Sequence, residues 1–366
     1  VAAVILVVGH FGTLYSYATV AGRVAEALLR EGLLGGAASL DSPEAPWHPR
    51  WRHLASVYQT KPITHVLVFS APEHYIEPFI GRFGRERSAI FVSPNTYEMA
   101  PEHVETISKF GLAIAPSQFC LNSMLNSLRE LPAPSFCSVL PIGCTAVGST
   151  TSFVERSRRL DQPGLAVHFT SDQAWPSRKG TDTLLKAWAI HHPDGARLKV
   201  HGPPALQRDA LYLIADLGID DSVEYAVSPR LGTADDELGK LYDEADLIIA
   251  PSRAEGFGMM ISGAIAAGVP LLTTCNTGHA EFLVEKPGCW LTIPTPTDGQ
   301  MAFEWGEAPE LPAAGVLAPL LGLALAPQTR DWMLRSLSQH ADEKWGTWER
   351  ALPLWVERLR DWMEDT

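Results

Sequence analysis

What this chain has little of narrows its class first. Its 366 residues include five cysteines, Cys120, Cys137, Cys144, Cys275 and Cys289, scattered without a CxxC pair or a close histidine partner. That excludes a disulfide framework and a zinc knuckle, and it points to a reducing, cytoplasmic setting. Positive charge is scarce too: 29 Lys and Arg face 42 Asp and Glu, a net charge of −13. Nucleic-acid binders ordinarily carry a basic stripe that releases phosphate counterions, so DNA and RNA are disfavoured as partners. The cluster Arg82, Arg85 and Arg87 is the one feature that leans the other way. No apolar run reaches the roughly 18 residues of a spanning helix. The first run, Val1 to Val8, lacks the basic flank and length of a secretory signal and reads as a strand. What is present is apolar material: 46% hydrophobic against 19% charged residues is ample for two buried cores, and the length fits two domains of roughly 150 residues.

Short apolar runs alternate with helical patterns, the signature of a parallel sheet covered on both faces. In the first half the predicted strands are Ala2–Val8, His65–Phe69, Ala89–Val92, Leu112–Ala115 and Ser138–Leu140, each nearly continuous in hydrophobicity. Ser16–Glu31 is predicted helical from the spacing of Val20, Val24, Ala27 and Leu28, with Gly32 as its stop. A polar stretch from Gly148 to Gln162 reads as the crossover between domains. The alternation then restarts. Strands are expected at Leu165–Thr170, Leu198–His201, Val223–Val227, Leu247–Ala250, Pro270–Thr273 and Trp290–Ile293, and helices at Thr181–Ile190, Ala205–Leu217, Asp235–Asp243 and Met259–Ala267. The fold class is therefore α/β, with two doubly wound, Rossmann-like domains facing across a cleft and ligands at the carboxyl ends of the strands. Residues Pro294 to Pro312 read as an irregular excursion. Trp348, Trp355 and Trp362 recur every seven residues, a packing stripe on a terminal helix that Pro353 could kink.

The most informative segment runs from Ala250 to Pro270, with Glu255-Gly256-Phe257-Gly258-Met259-Met260 at its centre. A buried strand feeds a loop with two glycines and then a helix. Gly256 and Gly258 allow the backbone to bring amides close to an anion, and the helix N-terminus adds partial positive charge. Glu255 stands where a carboxylate could accept hydrogen bonds from sugar hydroxyls. In the first domain Gly9-His10-Phe11-Gly12-Thr13 follows a strand, but its Gly-x-x-Gly spacing fails the dinucleotide fingerprint.

The whole string resembles the donor-binding signature of family 4 glycosyltransferases of the GT-B fold. Further segments carry the likeness: Ile114-Ala-Pro-Ser117, Val139-Leu-Pro-Ile-Gly143, Arg178-Lys179-Gly180, Leu198-Lys-Val-His-Gly202, Leu241-Tyr-Asp-Glu-Ala-Asp246 and Trp348-Glu349. The resemblance implies transfer of a sugar from a nucleotide-diphosphate donor with retention of anomeric configuration, no cofactor and no obligatory metal. It implies a first, acceptor-side domain over residues 1–150 joined by a terminal helix over about 348–366, and a donor domain over 151–347. Lys179 is implied as the cation that offsets diphosphate charge and Glu255 as the carboxylate on the donor sugar. Gly12, Thr13, Arg178, Gly256, Phe257, Gly258, Met259 and Met260 are implied donor contacts, and His10, His74 and Glu98 are acceptor-side candidates.

Two departures stand out. The second carboxylate of the family's Glu-x7-Glu pair would fall at position 263, where this chain has Gly263. The arginine that precedes the family's lysine at the strand end is missing from Phe169-Thr-Ser-Asp-Gln173. Arg178 and Arg253 are the candidates to compensate, although Arg178 and Lys179, as chain neighbours, are expected to point in different directions. The acceptor, a glycan, lipid or small molecule, is not legible, and the helix candidate Cys120–Glu130 is too weakly basic to mark a membrane-surface contact. Two other readings stay open: a non-catalytic nucleotide- or glycan-binding protein of the same fold, and another nucleotide-sugar enzyme such as an epimerase.

Overall fold

The computed structural model describes residues 4–366 apart from 15, 43, 58–61, 145–150, 172–175, 229–234, 286, 296–299, 304–305 and 341–346. The chain divides into two compact units, Val1–Gly143 with Trp348–Thr366, and Cys144–Thr347. All five cysteines are free thiols. Among the described residues no helix is long and apolar enough to cross a membrane.

The first unit is built on six parallel strands: β1 (Ile5–Gly9), β2 (Leu34–Ser39), β3 (His65–Phe69), β4 (Ser88–Phe91), β5 (Leu112–Ala115) and β6 (Phe136–Val139), in the order β2-β1-β3-β4-β5-β6. The strand order reverses direction between β1 and β3. In sheets of this kind ligands collect at the carboxyl ends beside such a reversal. Every residue of β3, β4 and β5 is buried, as continuous apolar runs covered on both faces require. Helix Ser16–Arg30 covers the sheet with Val20, Val24, Ala27 and Leu28 inward, and the chain leaves it through Gly32 at φ 68°. Strand β2 was not expected from its sequence. Its Leu-Gly-Gly-Ala-Ala-Ser has the composition of a turn, yet it pairs with β1 because the glycines permit a close approach: a Cβ on Gly35 would lie 2.8 Å from Val4 Cγ2.

Helix Trp348–Asp365 belongs to this unit and packs on helix Ser16–Arg30. It runs through Pro353 as one element. Trp348, Trp355 and Trp362 are all buried, with Trp355 against Phe69 and Phe91 and its indole N–H donating to the Pro141 carbonyl at 2.9 Å. Truncating a ring so buried costs about 3–5 kcal/mol.

The second unit repeats the plan with β7 (Leu165–Phe169), β8 (Arg197–Gly202), β9 (Val223–Val227), β10 (Leu247–Ala250), β11 (Leu271–Thr274) and β12 (Trp290–Ile293), all parallel, in the order β12-β11-β10-β7-β8-β9. Its order reverses between β7 and β10. The span read as an irregular excursion instead contains an antiparallel pair, β13 (Gln300–Phe303) with β14 (Gly306–Pro309). Two unexpected helices follow, Ala314–Leu325 and Pro327–Gln339. Ala314–Leu325 is apolar almost throughout, so it carries no clear helical period, and it lies against helix Thr181–Ile190.

Candidate functional site

The carboxyl ends of β7 and β10 lie side by side at the reversal of the second sheet. From β10 the chain enters a loop, residues 251–258, that is buried throughout. Gly258 ends it in the left-handed region at φ 83° and opens helix Met259–Ala266, which no side chain caps. A Cβ on Gly258 would sit 2.9 Å from the His279 Cβ, so space and backbone angle both demand glycine here. From β7 the chain reaches Arg178-Lys179-Gly180. Gly180, at φ 69°, opens helix Thr181–Ile190, and a Cβ there would lie 2.6 Å from Leu311 Cδ1 and 3.0 Å from the Pro251 carbonyl carbon. The two loops therefore touch backbone to backbone, tied by the Arg253 amide donating to the Arg178 carbonyl at 2.9 Å.

That contact brings the charged residues together. Lys179 Nζ donates to Glu255 Oε1, and the Ser252 hydroxyl donates to the same oxygen at 2.7 Å. Arg178 Nη1 stands 3.8 Å from Glu255 Oε2 and donates to the Ala254 carbonyl at 3.0 Å, while Nη2 donates to Ser171 Oγ at 3.0 Å. The expectation that Arg178 and Lys179 diverge is overturned. Side chains of neighbours splay apart on a helix, but these two precede the helix in a turn, and both reach one carboxylate. Arg253 does not join them: it is buried and bonded to the Ser177 carbonyl, Asp182 at 3.2 Å and Thr183 at 3.2 Å, which pins the two loops. Residues 172–175, part of the stretch that lacks the expected arginine, lie outside the described residues.

Electrostatics follow from burial. Desolvation pushes the Lys179 ammonium down to about 8, against the pull of Glu255. Burial would raise the Glu255 carboxyl, but Lys179 and then Arg178 outweigh it and hold it well below the usual carboxylate range. Two cations around one carboxylate leave this trio with one net positive charge, suited to an anion.

The loop after β11 completes the site and was missed in the sequence, although Asn276-Thr-Gly after a buried strand is a signal that could have found it. The Glu255 amide donates to Thr277 Oγ1 at 3.1 Å, and the Gly278 amide to the Glu255 carbonyl at 2.9 Å. His279 Nε2 faces the Thr274 carbonyl at 2.9 Å and so carries the hydrogen. Its Nδ1 and the Asn276 side-chain nitrogen have no hydrogen-bond partner among the described residues. Phe257 rests on Phe282 with ring centres 5.4 Å apart, a packing position, and Met259 and Met260 are half-buried. At Gly263, the space a side chain would need is filled by the phenol of Tyr242, whose hydroxyl donates to the Met260 carbonyl at 3.0 Å.

In the first unit the candidates separate. Gly12 donates its amide to Asp41 Oδ2 at 2.6 Å, and Thr13 is half-buried with its carbonyl accepting from Trp51 Nε1 at 3.3 Å. His10 stands beside them, with Nδ1 3.1 Å from Asp41 Oδ1. His74 is on the surface with Glu77 at 2.8 Å, and Glu98 is exposed with Arg129 at 3.2 Å, so the structure does not gather the three acceptor-side candidates in one place. Of the basic cluster, Arg82 lies over the Phe83 ring and Arg85 donates to the Ala133 carbonyl. Among the described residues no group of three or more His, Cys, Asp or Glu side chains is placed to hold a metal ion.

Known proteins resemble this chain in sequence and in fold. Residues 165–303 match the family described as "Glycosyl transferases group 1". A D-inositol 3-phosphate glycosyltransferase of Saccharomonospora viridis is 26% identical over 196 residues, which is 50% of this chain and 40% of that protein. The chain thus spans less than half the length of that curated relative. Among solved structures, sucrose-phosphate synthase from Thermosynechococcus elongatus superposes with a TM-score of 0.70 at 15% identity, covering 100% of both chains. The Anabaena protein HepE, in complex with UDP and glucose, superposes with a TM-score of 0.69 at 15% identity, covering 97% of this chain and 99% of that one. The fold is therefore GT-B-like, and over residues 165–303 the second unit is related to the group 1 glycosyl transferases.

Proposed function

We propose that this chain is a glycosyltransferase that moves a sugar from a nucleotide-diphosphate donor to a hydroxylated acceptor with retention of anomeric configuration. The observation that carries the reading is the convergence of Lys179 and Arg178 on Glu255 at the reversal of the second sheet. Breaking the bond from the sugar's anomeric carbon to the diphosphate leaves negative charge on the departing oxygen. Prepositioned cations, with the amides of the Gly256–Gly258 turn and the uncapped helix behind it, offset that charge without reorganising. Glu255, kept ionised by its neighbours, is an acceptor for hydroxyls of the donor sugar.

Incubation with UDP-, GDP-, ADP- and dTDP-sugars, read as release of the nucleoside diphosphate, tests this. Release from at least one donor is expected, with Lys179→Ala slowing it by about 100-fold as for loss of one charge-stabilising donor. A protein that binds nucleotide sugars but turns none over would instead be a non-catalytic member of the fold. Anomeric analysis of the product by NMR decides retention.

A further inference from the structure

Asn276 lies just past β11 in the second unit and is 8% exposed. It holds the N-cap of the short turn Thr277–His279, where an asparagine ordinarily accepts from a backbone amide, but its side chain makes no such bond. It is instead the end of a chain of hydrogen bonds that starts at the Glu255 turn. The Glu255 amide donates to Thr277 Oγ1 at 3.1 Å, and the Thr277 hydroxyl donates its own hydrogen to Asn276 Oδ1 at 3.3 Å. The amide oxygen is thereby engaged. The Nδ2 amino group keeps two hydrogens and has no acceptor among the described residues. A buried donor without a partner weakens a fold, so packing alone does not account for it. The backbone beside it is strained as well: Thr277, a β-branched residue, sits at φ 48°, one of two non-glycine residues with positive φ among those described. The loop is nevertheless held in place. A Cβ on Gly278 would run into the Gly256 carbonyl, and the Gly278 amide donates to the Glu255 carbonyl at 2.9 Å, so the Asn276 loop and the Glu255 turn are locked together.

We propose that the Asn276 amino group donates a hydrogen bond to a hydroxyl of the donor sugar and so helps set which sugar the protein takes. The proposal rests on the transferase reading and names a specificity residue for the same site, wholly within the second unit. Glu255 and Asn276 are opposite in kind. The ionised carboxylate can only accept, and the amino group can only donate. A hydroxyl does both, so a pyranose with free hydroxyls gives one hydrogen to Glu255 and takes another from Asn276. A phosphate oxygen only accepts: it would suit the amino group but be repelled by the Glu255 charge. That assigns Asn276 to the sugar and leaves the diphosphate to Lys179, Arg178 and the opening of helix Met259–Ala266. The amino group is enclosed in the free protein, so the side chain turns about its own torsions as the sugar enters, exchanging an unmet donor for a met one.

The test uses the full chain and calorimetric titration with the tightest-bound of a panel of UDP-, GDP-, ADP- and dTDP-hexoses, and with the matching nucleoside diphosphate. Asn276→Ala, and Asn276→Leu, which keeps the volume, should each weaken the nucleotide sugar by about tenfold. The Kd for the diphosphate should stay within about twofold, which also reports an intact site. Nucleotide sugars lacking the 2-, 3-, 4- or 6-hydroxyl then locate the contact without relying on a variant's folding. The wild type should bind one of them about tenfold more weakly than the parent, and on that one Asn276→Ala should lose nothing further. An equal loss for sugar and diphosphate, no loss for either, or a loss that persists with all four deoxy sugars would overturn the assignment. Diphosphate binding without affinity for any hexose donor would overturn it too, and would leave the diphosphate site standing. A wild-type protein that binds no nucleoside diphosphate would overturn the transferase reading itself, and this assignment with it.

Discussion

The hydroxyl of Tyr242 occupies the place of a side chain at Gly263: an ideal Cβ on that glycine would lie 2.9 Å from the tyrosine Cζ and closer still to its oxygen. Tyr242 is itself buried, and desolvation drives its phenol well above the ordinary tyrosine range, so it stands there as a neutral donor to the Met260 carbonyl. The position at which the resemblance places a second carboxylate is thus not simply vacant. Its space is filled from another helix, Asp235–Glu244.

Gly263→Ala should therefore destabilise the second unit by about 1–3 kcal/mol through overpacking. Gly263→Glu should cost more, because it adds a charge to the same crowded place. Combining Gly263→Ala with Tyr242→Phe, which removes the hydroxyl, should cost less than the two single changes together. Equilibrium urea unfolding of the four proteins in the cycle reads this, and strict additivity would contradict the steric account.

Removing Glu255 should hurt more than removing Lys179. Glu255→Gln leaves two cations facing each other in a nearly buried site, a loss on the order of 3 kcal/mol for a broken buried pair. Lys179→Met leaves Glu255 with Arg178 at 3.8 Å and Ser252 at 2.7 Å, so part of its compensation survives. Urea midpoints of the two variants should rank in that order; the reverse would mean that Arg178 does not serve as counter-charge.

Nucleotide affinity should fall as pH rises through about 8, the value to which burial brings Lys179. The sign follows from charge: a bound diphosphate favours the ammonium, so the complex holds a proton that the free protein has given up above that pH. Calorimetric titration of UDP between pH 7 and 9.5, in buffers of differing ionisation heat, should show proton uptake on the alkaline side of this range. Lys179→Arg, which keeps its charge, should flatten the profile.

Acid should weaken the fold earlier than carboxylate titration would. His65, His168, His201 and His279 are each driven by burial down to about 4. In the unfolded chain they titrate near 6.5, so between about 6.5 and 4 the unfolded state binds more protons and stability falls as pH drops. Urea unfolding at pH 7, 6, 5 and 4.5 should show a midpoint that is steady above the window and declines within it. A flat midpoint down to pH 5 would contradict the neutral burial of these rings.

Much of the fold was legible because buried parallel strands are written as unbroken apolar runs. Leu112–Ala115, Val223–Val227, Leu247–Ala250 and Trp290–Ile293 have the bounds read from the sequence. Strand β2 was not legible, since its Gly35 serves a close approach to Val4 that no local pattern encodes. The segment carrying Lys179 and the turn carrying Glu255 were singled out separately in the sequence. What brought Arg178 in beside them was the abutment of two loops 71 residues or more apart in the chain, a tertiary fact. The same holds for Asn276 and His279, which reach the site through the backbone of the Glu255 turn.

The helix Trp348–Asp365 has a consequence for how the molecule is made. Phe69 and Phe91 come off the ribosome early, but the indole that covers them, Trp355, is encoded after the whole of Cys144–Thr347. During synthesis the second unit can close on its own residues while the first still shows an aromatic floor to solvent. The nascent chain is then most prone to self-association in the interval before helix Trp348–Asp365 emerges, and a premature stop ahead of Trp348 would freeze it in that state.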